Sequence, residues 1–385
     1  MRVVIVHNEY GKFSGEEAVV RGQANLLQSK GHKVSRFTRS SVEIPNMFLG
    51  NARAFFSGIY SFSSKKAMQC LLDEYHPDVV NVHNVFPLIS PSILSACRES
   101  SVPVVMTVHN YRLVCANGLH LHKRTLEICE RCCGGREYWC FLQNCECSYA
   151  RSIGYFLRNY VARRFRLFLD NVSLYICLTE FHKRRLISEG FPEDRLHVIP
   201  NMYREYVNNN YGQLGEYVGF VGRISLEKGI GCLLEASRRL GTIPFKVAGE
   251  LRNISEMATL SPRNLEFFGH ISSKRISAFY QQSRLIILPS IWFEGFPMVL
   301  IEAMLHARPI VASRIGGLSE IVDDGVNGLL FEPGNLEELM EKIQYLWERP
   351  AMCREMGEAG RKKALREYSP EKYYERLMAV YKKVL

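Results

Sequence analysis

The sequence predicts an α/β protein of two doubly wound domains, each a parallel sheet covered by helices. The chain of 385 residues is longer than a domain with a single hydrophobic core normally is. This length suggests two domains of about 150–200 residues each. Short β-branched runs alternate with amphipathic segments over most of the chain. A polar stretch without periodicity separates two sets of such runs. We therefore predict domains at 1–202 and 217–368, with a linker at 203–216.

The predicted strands form one set for each domain. The first set comprises RVVIVH from Arg2, DVVNVH from Asp78, VPVVMTVH from Val102 and SLYICL from Ser173. The second set comprises YVGFVG from Tyr217, FKVAG from Phe245, LEFFG from Leu265, LIILPS from Leu285 and PIVAS from Pro309. Ser369 and Pro370 then begin a predicted final helix, 369–385. Such sheets bind ligands at the carboxyl ends of their strands, so function should be sought in the turns that follow them.

The positive charge lies mainly in the first half of the chain. Residues 1–200 contain 25 Lys and Arg against 17 Asp and Glu, a net charge of +8, and the remainder has a net charge of +2. This fits an anionic membrane, a phosphate-bearing partner or nucleic acid, and a solvated basic face is an equally good interpretation. No apolar run approaches the roughly 18 residues of a membrane span, and no secretory signal follows Met1. The expected location is cytoplasmic, or peripheral on the cytoplasmic face of the inner membrane.

Two common nucleotide-binding motifs are absent from the sequence. The first turn, HNEYGKFSGEE, places Gly11 and Gly15 without the G-x-G-x-x-G spacing of a dinucleotide site, and no G-x-x-x-x-G-K-[ST] occurs. NAD-binding and P-loop classes are therefore disfavoured. Gly15 still allows a ligand to approach the backbone at a helix start, although an ordinary turn glycine explains it as well.

Two cations follow the first strand of the second domain. YVGFVG runs directly into RISLEKG, so Arg223 and Lys228 emerge at the carboxyl end of that strand, five residues apart. Two cations placed in this way can clamp a diphosphate from two sides. A charged surface loop is the alternative interpretation.

The stretch FEGFPMVLIE places two carboxylates eight positions apart around an expected helix start. With Pro297 as the first helical residue, the free amides of the first turn favour an anion, assisted by the helix dipole. Glu302 then lies about 7.5 Å along the axis. Glu294 and the amides of Gly295 and Phe296 stand on the other side of the anion. A nucleotide sugar has this layout, because it carries hydroxyls at each end and two phosphates between them.

With these motifs the chain resembles the family 4 glycosyltransferases of GT-B fold over nearly its whole length. The resemblance is carried by GRISLEKG from Gly222, LPSIWFEGFPMVLIEAMLHARPIVAS from Leu288, IGGLSEIVDDGVNGLLFEPGN from Ile315 and TVHN from Thr107. Two places depart from the family pattern: FSGEE has one glycine where many members have two, and Asn110 stands where Asp is common. The resemblance implies two Rossmann-like domains facing a central cleft, with 369–385 returning to the first domain.

The resemblance also implies roles for individual residues. Glu294 holds hydroxyls of the donor sugar, Glu302 holds the ribose, and His109 faces the donor sugar from the first domain. Arg223 and Lys228 hold the diphosphate, so the expected catalytic residues are Glu294, Arg223, Lys228 and His109. The expected donor-binding residues are Gly15, Gly222, Gly295, Phe296, Pro297, Met298, Val299 and Glu302.

The implied reaction is a retaining sugar transfer with no cofactor in the chemistry. Breaking the bond between the anomeric carbon and the phosphate develops negative charge on the leaving diphosphate, which fixed cations and amides stabilise in the transition state. The acceptor attacks from the face that the diphosphate leaves and passes its proton to a phosphate oxygen. If Glu302 holds the ribose it is too far from the reacting carbon, so Glu294 and Glu302 are not expected to act as the acid and base pair of a hydrolase.

A cysteine-rich insert, 115–147, contains seven of the 12 cysteines. Disulfides are disfavoured in a cytosolic chain, and a C-x-x-C motif within such a cluster favours a structural zinc site. The expected ligands are Cys115, Cys129, Cys132 and Cys145, with Cys147 or Cys140 as substitutes, followed by His120 or His122. A loop of reduced cysteines without metal is the alternative interpretation. The insert follows TVHN and should border the acceptor side.

The segment RSIGYFLRNYVARRFRLFLDN follows the insert and mixes aromatic residues with arginines. The residues concerned are Tyr155, Phe156, Phe165 and Phe168, with Arg151, Arg158, Arg163, Arg164 and Arg166. The segment fits an interfacial helix drawn to anionic lipid, or a helix packed on the sheet with snorkelling arginines. Resemblance to enzymes that extend lipid-linked saccharides favours the membrane.

The leading hypothesis is a retaining transferase that moves a hexose or related sugar from a nucleotide-diphosphate sugar, with UDP-linked donors expected. The expected acceptor is a lipid-linked saccharide of envelope polysaccharide or lipopolysaccharide synthesis. A transferase acting on a soluble acceptor, such as a sugar phosphate, is the nearer alternative. The alternative from another class is a non-catalytic zinc-containing nucleic-acid-binding protein. Under the leading hypothesis no nucleic acid is expected as a partner.

Overall fold

The computed structural model describes residues 1–11, 15–203, 214–250 and 262–385, which form two compact units. The first unit contains Met1–Thr125, Cys129–Met202 and Tyr373–Leu385. The second contains Leu126–Ile128 and Tyr203–Lys372. Residues 204–213 of the predicted linker lie outside the described residues. Each unit is α/β, so the predicted fold class is confirmed.

The first unit is built on a six-stranded parallel sheet. Its strands are β1 (Arg2–Glu9), β2 (Lys33–Ser40), β3 (Val79–Asn84), β4 (Val104–Val108), β5 (Leu174–Cys177) and β6 (Leu196–Val198). They lie in the order β2-β1-β3-β4-β5-β6, with every neighbouring pair parallel. The four predicted strands are confirmed as β1, β3, β4 and β5. The sequence did not predict the two edge strands, since β2 has no buried residue and β6 has only three residues.

Helices accompany this sheet, and two short 3-10 helices lie at Ser41–Asn46 and Glu193–Arg195. The helices are α1 (Gly15–Ser29), α2 (Gly50–Ile59), α3 (Phe62–Tyr75), α4 (Ser92–Glu99), α5 (Tyr138–Leu142), α6 (Tyr149–Arg164) and α7 (Glu180–Ser188). The side chains of β3 and β4 are buried throughout. Polar residues at the ends of these two strands are therefore held on a rigid base.

The second unit has its own six-stranded parallel sheet. Its strands are β7 (Tyr217–Val221), β8 (Phe245–Ala248), β9 (Leu265–Gly269), β10 (Ser283–Leu288), β11 (Ile310–Ser313) and β12 (Gly328–Phe331). They lie in the order β12-β11-β10-β7-β8-β9. The five predicted strands are confirmed, and the one that was not predicted, β12, is again an edge strand of four residues. Because β7 and β10 are neighbours, the loops that follow them meet.

The helices of the second unit include one after β7 and one after β10. They are α8 (Ile230–Arg239), α9 (Ser273–Gln282), α10 (Met298–Leu305), α11 (Leu318–Ile321), α12 (Leu336–Trp347) and α13 (Pro350–Glu367), with a 3-10 helix at Leu226–Lys228. No helix among the described residues combines the length and the apolar character that crossing a bilayer requires.

The last helix, α14 (Pro370–Tyr381), completes the core of the first unit. Leu377 is fully buried in the same apolar cluster as residues of β1 and α1. The Tyr381 hydroxyl donates to Asn81 Oδ1 at 2.7 Å, and the Tyr373 hydroxyl donates to Gln23 Oε1 at 2.6 Å. Asn81 lies on β3 and Gln23 on α1, so buried hydrogen bonds tie the helix to the sheet as well as apolar contacts. This is the return to the first domain that the resemblance implies.

Candidate functional site

The loops that follow β7 and β10 are joined through their backbones. The amide of Ile291 donates to the carbonyl oxygen of Glu227 at 3.0 Å. Gly229 has a φ of +74°, and a Cβ on it would lie 1.8 Å from the carbonyl oxygen of Pro289. Only glycine allows this approach. Lys228, at the end of the 3-10 helix, is thereby fixed beside the segment 290–294.

Glu294 is the centre of a buried polar cluster. Its Oε1 accepts hydrogen bonds from Lys228 Nζ at 2.6 Å, Ser290 Oγ at 2.6 Å and Trp292 Nε1 at 2.9 Å. Lys228 is 9% exposed and Glu294 is 4% exposed. Burial alone would raise the pKa of Glu294, but the charge of Lys228 and these hydrogen bonds hold it below its ordinary value. The carboxylate is therefore ionised at neutral pH.

Arg223 and Lys228 flank the indole ring of Trp292 and differ in their exposure. The ring centroid lies 5.8 Å from Arg223 Cζ and 5.7 Å from Lys228 Nζ. Arg223 is 40% exposed, with Nη1 3.6 Å from Glu227 Oε1. An ammonium group has three donors, and within the described residues Lys228 uses one of them, toward Glu294. The predicted pair is thus one exposed guanidinium and one buried ammonium that is partly neutralised by a carboxylate.

Helix α10 begins one residue later than predicted. Pro297, with φ −74° and ψ 107°, is the N-cap, and Met298 is the first helical residue. The ring of proline fixes only φ, which suits the N-cap as well as the first turn, so the sequence could not separate the two. No described side chain caps this end. The amides of Met298 and Val299 therefore lie at a helix terminus that favours an anion.

Two further predicted residues lie close to this helix start, and a third follows β7. Gly295 is half-buried, whereas Phe296 is buried with its ring centroid 5.5 Å from that of Tyr368. Phe296 would therefore offer a ligand its backbone amide, since its ring packs inside the unit. Gly222 follows β7, and its carbonyl oxygen would lie 1.7 Å from a Cβ placed on Gly249. Glycine at 249 is what allows the ends of β7 and β8 to approach.

Glu302 is half-buried on α10 and is held by a tyrosine. Its Oε2 accepts a hydrogen bond from the Tyr280 hydroxyl at 2.8 Å. The Tyr280 ring stacks on His306, with centroids 5.1 Å apart. His306 donates through Nδ1 to the Glu302 carbonyl oxygen at 2.8 Å, so its Nε2 accepts from Ser277 Oγ at 2.9 Å. The Tyr280 hydroxyl thus orients the Glu302 carboxylate, and His306 fixes the Tyr280 ring by stacking on it.

In the first unit, His109 directly follows β4 and stacks on His83 of β3. The ring centroids are 5.1 Å apart, and His109 Nε2 shares a hydrogen bond with His83 Nδ1 at 2.8 Å. Burial lowers the pKa of His109 to about 4 and holds the pKa of His83 well below its ordinary value. Both rings are therefore neutral at pH 7, and His83 fixes the orientation of His109.

Gly15 is the first residue of α1, and a Cβ on it would meet none of the described residues within 4 Å. The described residues therefore leave space for a side chain or a ligand at this position. The next residue, Glu16, accepts a hydrogen bond from the Tyr10 hydroxyl at 2.9 Å, and its other oxygen lies 3.8 Å from His7 Nδ1. Burial raises the pKa of Glu16 and lowers that of His7 to about 4.

Sequence reasoning missed the residues that hold the predicted ones in place. These are Ser290, Trp292, Tyr280, His83, Tyr10 and Glu16. A signal existed for His83, because DVVNVH and VPVVMTVH both end in histidine and parallel strands end at one edge of a sheet. Trp292 had only its proximity in sequence to Glu294. No local pattern marks the other residues, and Tyr280 meets its partner Glu302 from 22 positions away.

The cysteine-rich insert has three cysteines in one buried cluster: Cys132, Cys140 and Cys145. Cys115 is also buried and donates its thiol hydrogen to Asn117 Oδ1 at 3.0 Å, whereas Cys129 is half-buried. All twelve cysteines lie within the described residues and are free. Among those residues, no group of three or more His, Cys, Asp or Glu is arranged to hold a metal ion. The zinc site stays a prediction, and the buried set has Cys140 in place of Cys129.

Two family models match the chain. Residues 13–203 match the model described as Glycosyltransferase Family 4. Residues 209–363 match the model described as Glycosyl transferases group 1. The second match contains the loops that carry Lys228 and Glu294, as well as helix α10.

Curated relatives and a solved structure agree with these models. An uncharacterised glycosyltransferase of Methanocaldococcus jannaschii is 30% identical over 234 residues, 59% of this chain and 65% of that protein. The O-antigen chain mannosyltransferase C of Escherichia coli is 25% identical over 312 residues, 79% of this chain and 74% of that protein. The crystal structure of Anabaena Alr3699/HepE in complex with UDP has a TM-score of 0.70 at 17% identity and covers 100% of both chains. The match thus spans just under two thirds of the Methanocaldococcus protein, and the likeness to HepE shows a shared fold.

Proposed function

Because the chain belongs to the family 4 glycosyltransferases, which have the GT-B fold, we propose that it transfers a sugar from a nucleotide-diphosphate sugar to a saccharide acceptor, with retention of configuration. One observation carries the proposal. The buried Lys228–Glu294 pair lies on the two loops that are joined after β7 and β10, in the segment that leads into the uncapped amino end of α10. This arrangement combines an ionised acceptor of hydroxyl hydrogens with cations and amides for phosphate.

Different groups of this site bind the three parts of the donor: the sugar, the diphosphate and the ribose. The ionised carboxylate of Glu294 accepts hydrogen bonds from hydroxyls of the donor sugar. Arg223, the remaining donors of Lys228 and the first amides of α10 bind the diphosphate. Glu302, which Tyr280 already orients, accepts hydrogen bonds from the ribose diol. We favour UDP-linked donors because the solved structure of HepE holds UDP.

The reaction that we propose depends on stabilisation of the leaving diphosphate and does not use a protein nucleophile. The bond from the anomeric carbon to the diphosphate oxygen breaks, and the new bond to the acceptor oxygen forms on the same face. The acceptor proton passes to a phosphate oxygen of the leaving group. Lys228 is already held by Glu294 and needs little reorganisation when negative charge develops. His109 is neutral, so its role is to hold a hydroxyl of the sugar rather than to supply charge.

The acceptor that we propose is a lipid-linked saccharide of envelope polysaccharide synthesis, used at the cytoplasmic face of the inner membrane. The relative from Escherichia coli, an O-antigen chain mannosyltransferase, supports a saccharide acceptor. A soluble acceptor such as a sugar phosphate is the alternative. Transfer to a short-chain lipid pyrophosphate saccharide, compared with the same saccharide as a phosphate, separates the two.

We expect UDP and UDP-sugars to raise the thermal unfolding temperature of the whole chain, and GDP-, ADP- and CMP-sugars to have smaller effects. Glu302→Gln should weaken UDP binding about 10- to 100-fold, because it removes a charged acceptor from the ribose diol. Isothermal titration calorimetry measures this effect.

The matched control is Glu341→Gln, which alters an exposed carboxylate of α12 and should bind UDP as the wild type does. Stabilisation by no nucleotide, or equal affinity in Glu302→Gln, would contradict the donor assignment.

We also propose a structural zinc ion in the insert, held by Cys115, Cys132 and Cys145 with either Cys129 or Cys140. Protein purified without chelator should contain about one zinc ion per chain. Cys132→Ser should lose most of the metal, because four thiolates are needed to close the site. Elemental analysis gives the ratio.

Cys70→Ser is the control, since Cys70 is exposed on α3 outside the insert and its loss should leave the metal content unchanged. Separate Cys129→Ser and Cys140→Ser variants identify the fourth ligand. A wild-type protein without zinc would contradict the site.

A further inference from the structure

Exposed apolar side chains are concentrated in two segments of the first unit. Of the fifteen large apolar side chains that are exposed among the described residues, ten lie in 42–62 and 138–165. They are Val42, Phe48, Leu49, Phe56 and Phe62, and Tyr138, Leu142, Tyr149, Tyr160 and Phe165. Single exposed apolar residues are normal on a protein surface, but a concentration of them marks an interaction surface.

The first of these segments presents phenylalanines on a fixed turn and on α2. Phe48 is 85% exposed and Phe56 is 67% exposed. The turn before α2 is closely packed, because a Cβ on Gly50 would lie 1.8 Å from the carbonyl oxygen of Ile44. The exposed rings are therefore held outward by the fold.

Helix α6 has an outward aromatic face and a buried polar face. Residues at helical spacing, Tyr149, Phe156 and Tyr160, are exposed or half-buried. On the opposite face Arg158 is buried, donates to the Ala116 carbonyl oxygen at 2.7 Å and lies over the rings of Phe86 and Tyr155. The helix therefore packs through one face and leaves aromatic side chains exposed on the other.

Helices α2 and α6 lie side by side. A Cβ on Gly154 of α6 would lie 2.8 Å from the ring of Phe55 on α2, so the helices approach as closely as a glycine permits. The ring centroids of Phe55 and Phe56 are 5.2 Å apart. The exposed rings of both helices consequently belong to one region, which we call the α2–α6 surface. It comprises Phe48, Leu49, Arg53, Phe56, Tyr149, Arg151, Phe156, Tyr160 and Arg164.

The charge of this region is positive. Residues 148–169 contain five arginines and neither Asp nor Glu. Arg163 pairs with Glu137, and Arg166 pairs with Asp170. Arg151 and Arg164 are exposed and, within the part of the chain that the structure describes, form no ion pair, as is also true of Arg53 on α2. These cations are available to an anionic partner.

We propose that the α2–α6 surface binds an anionic phospholipid membrane. Aromatic rings with polar edges and flanking arginines suit the headgroup region, where rings enter the acyl boundary and guanidinium groups contact phosphates. Unpaired arginines around apolar rings favour an anionic layer over a neutral one. The inference rests on the proposed function in one respect, because a lipid-linked acceptor gives the enzyme a reason to bind a membrane.

Flotation of the whole chain with vesicles tests the proposal. The protein should float with vesicles of equal parts phosphatidylcholine and phosphatidylglycerol, less with phosphatidylcholine alone, and less again as salt rises. Phe48→Ser with Phe56→Ser should lower the bound fraction about tenfold or more, because two apolar anchors are lost. The double variant Arg151→Gln, Arg164→Gln should lower the bound fraction by a comparable factor at low salt. At high salt, where the charges are screened, the variant and the wild type should have the same bound fraction.

Matched controls come from the second unit. Val326→Ser removes an exposed apolar side chain, and Arg354→Gln removes an exposed cation. Both should float as the wild type does. Binding of UDP, measured in parallel by calorimetry, should be the same in every variant. A wild-type protein that binds UDP but does not float therefore contradicts the proposed membrane-binding surface. A wild-type protein that does not bind UDP contradicts the proposed function instead.

Three results would overturn the proposal. The first is a wild-type protein that floats with neither kind of vesicle. The second is equal flotation of the Phe48→Ser, Phe56→Ser variant and the wild type. The third is a wild-type dimer in light scattering that this variant converts to a monomer without any flotation, which would make the surface an interface between copies of this chain.

Discussion

Lys228→Met should lower the rate of sugar transfer about 100- to 1000-fold, because a fixed cation no longer meets the charge that develops on the leaving diphosphate. Methionine keeps the length and the apolar stem of lysine, so packing around the site changes little. The initial rate of nucleotide release with donor and acceptor measures the effect. An unchanged rate would contradict the role of Lys228.

The same substitution should also destabilise the second unit. It leaves the carboxylate of Glu294 buried without its cation, which typically costs about 3–5 kcal/mol. Lys228→Met with Glu294→Gln should recover part of the free energy of unfolding but none of the transfer. Denaturant unfolding measures stability, and Lys342→Met, which removes a cation of a more exposed pair, should cost at most about 1 kcal/mol.

The first unit should lose stability as the pH falls from 7 to 5. Burial lowers the pKa of His7 to about 4, that of His182 to about 3, and that of His83 well below its ordinary value. The unfolded chain binds protons at these residues below about pH 6.5, whereas the folded unit does not, so the free energy of unfolding falls with pH. Each such residue, His109 among them, contributes up to about 1.4 kcal/mol per pH unit to the slope. Glu16, whose pKa burial raises, opposes the trend in part.

Hydrogen exchange at pH 7, 6 and 5 resolves the two units and measures this slope. His182→Asn should lower the slope by up to about 1.4 kcal/mol per pH unit, since one of the titrating groups is removed. His76→Asn is the control, because His76 is exposed and its replacement should leave the slope unchanged. Equal protection of the first unit at pH 5 and pH 7 would contradict the argument.

The strands that the sequence predicts are the central strands of the two sheets and one edge strand, β9. A central strand of a parallel sheet is covered on both faces, so β3 and β4 are buried throughout and are rich in valine. An edge strand lacks this signal. KVSRFTRS has two apolar residues, Val34 and Phe37, without strand periodicity, and among the described strands it pairs with β1 alone, so its strand character depends on that partner. Three of the four edge strands, β2, β6 and β12, were therefore missed, although the fold class was predicted correctly.

The site shows the same division between local and tertiary information. Glu294, Lys228 and Arg223 could be selected because their spacing around strand ends has a chemical meaning. The hydrogen bond between Lys228 and Glu294 could not be predicted, because it depends on β7 and β10 being neighbouring strands. Tyr280, which orients Glu302, lies on a different helix from its partner. Spacing reveals which residues carry charge, and the sheet order decides which of them meet.

The docking of α14 has a consequence for how the chain is made. Residues 1–202 leave the ribosome first, yet their core is missing Leu377 and the hydroxyls of Tyr373 and Tyr381 until the far end of the chain emerges. At ordinary rates of synthesis the delay between residues 202 and 373 is about 10–35 s. During that interval the nascent first unit exposes the apolar surface of β1 and α1 that α14 later covers, and we expect chaperones to bind it there. Truncation within α14 should therefore destabilise the first unit, which is synthesised first, rather than the second unit, which is synthesised later.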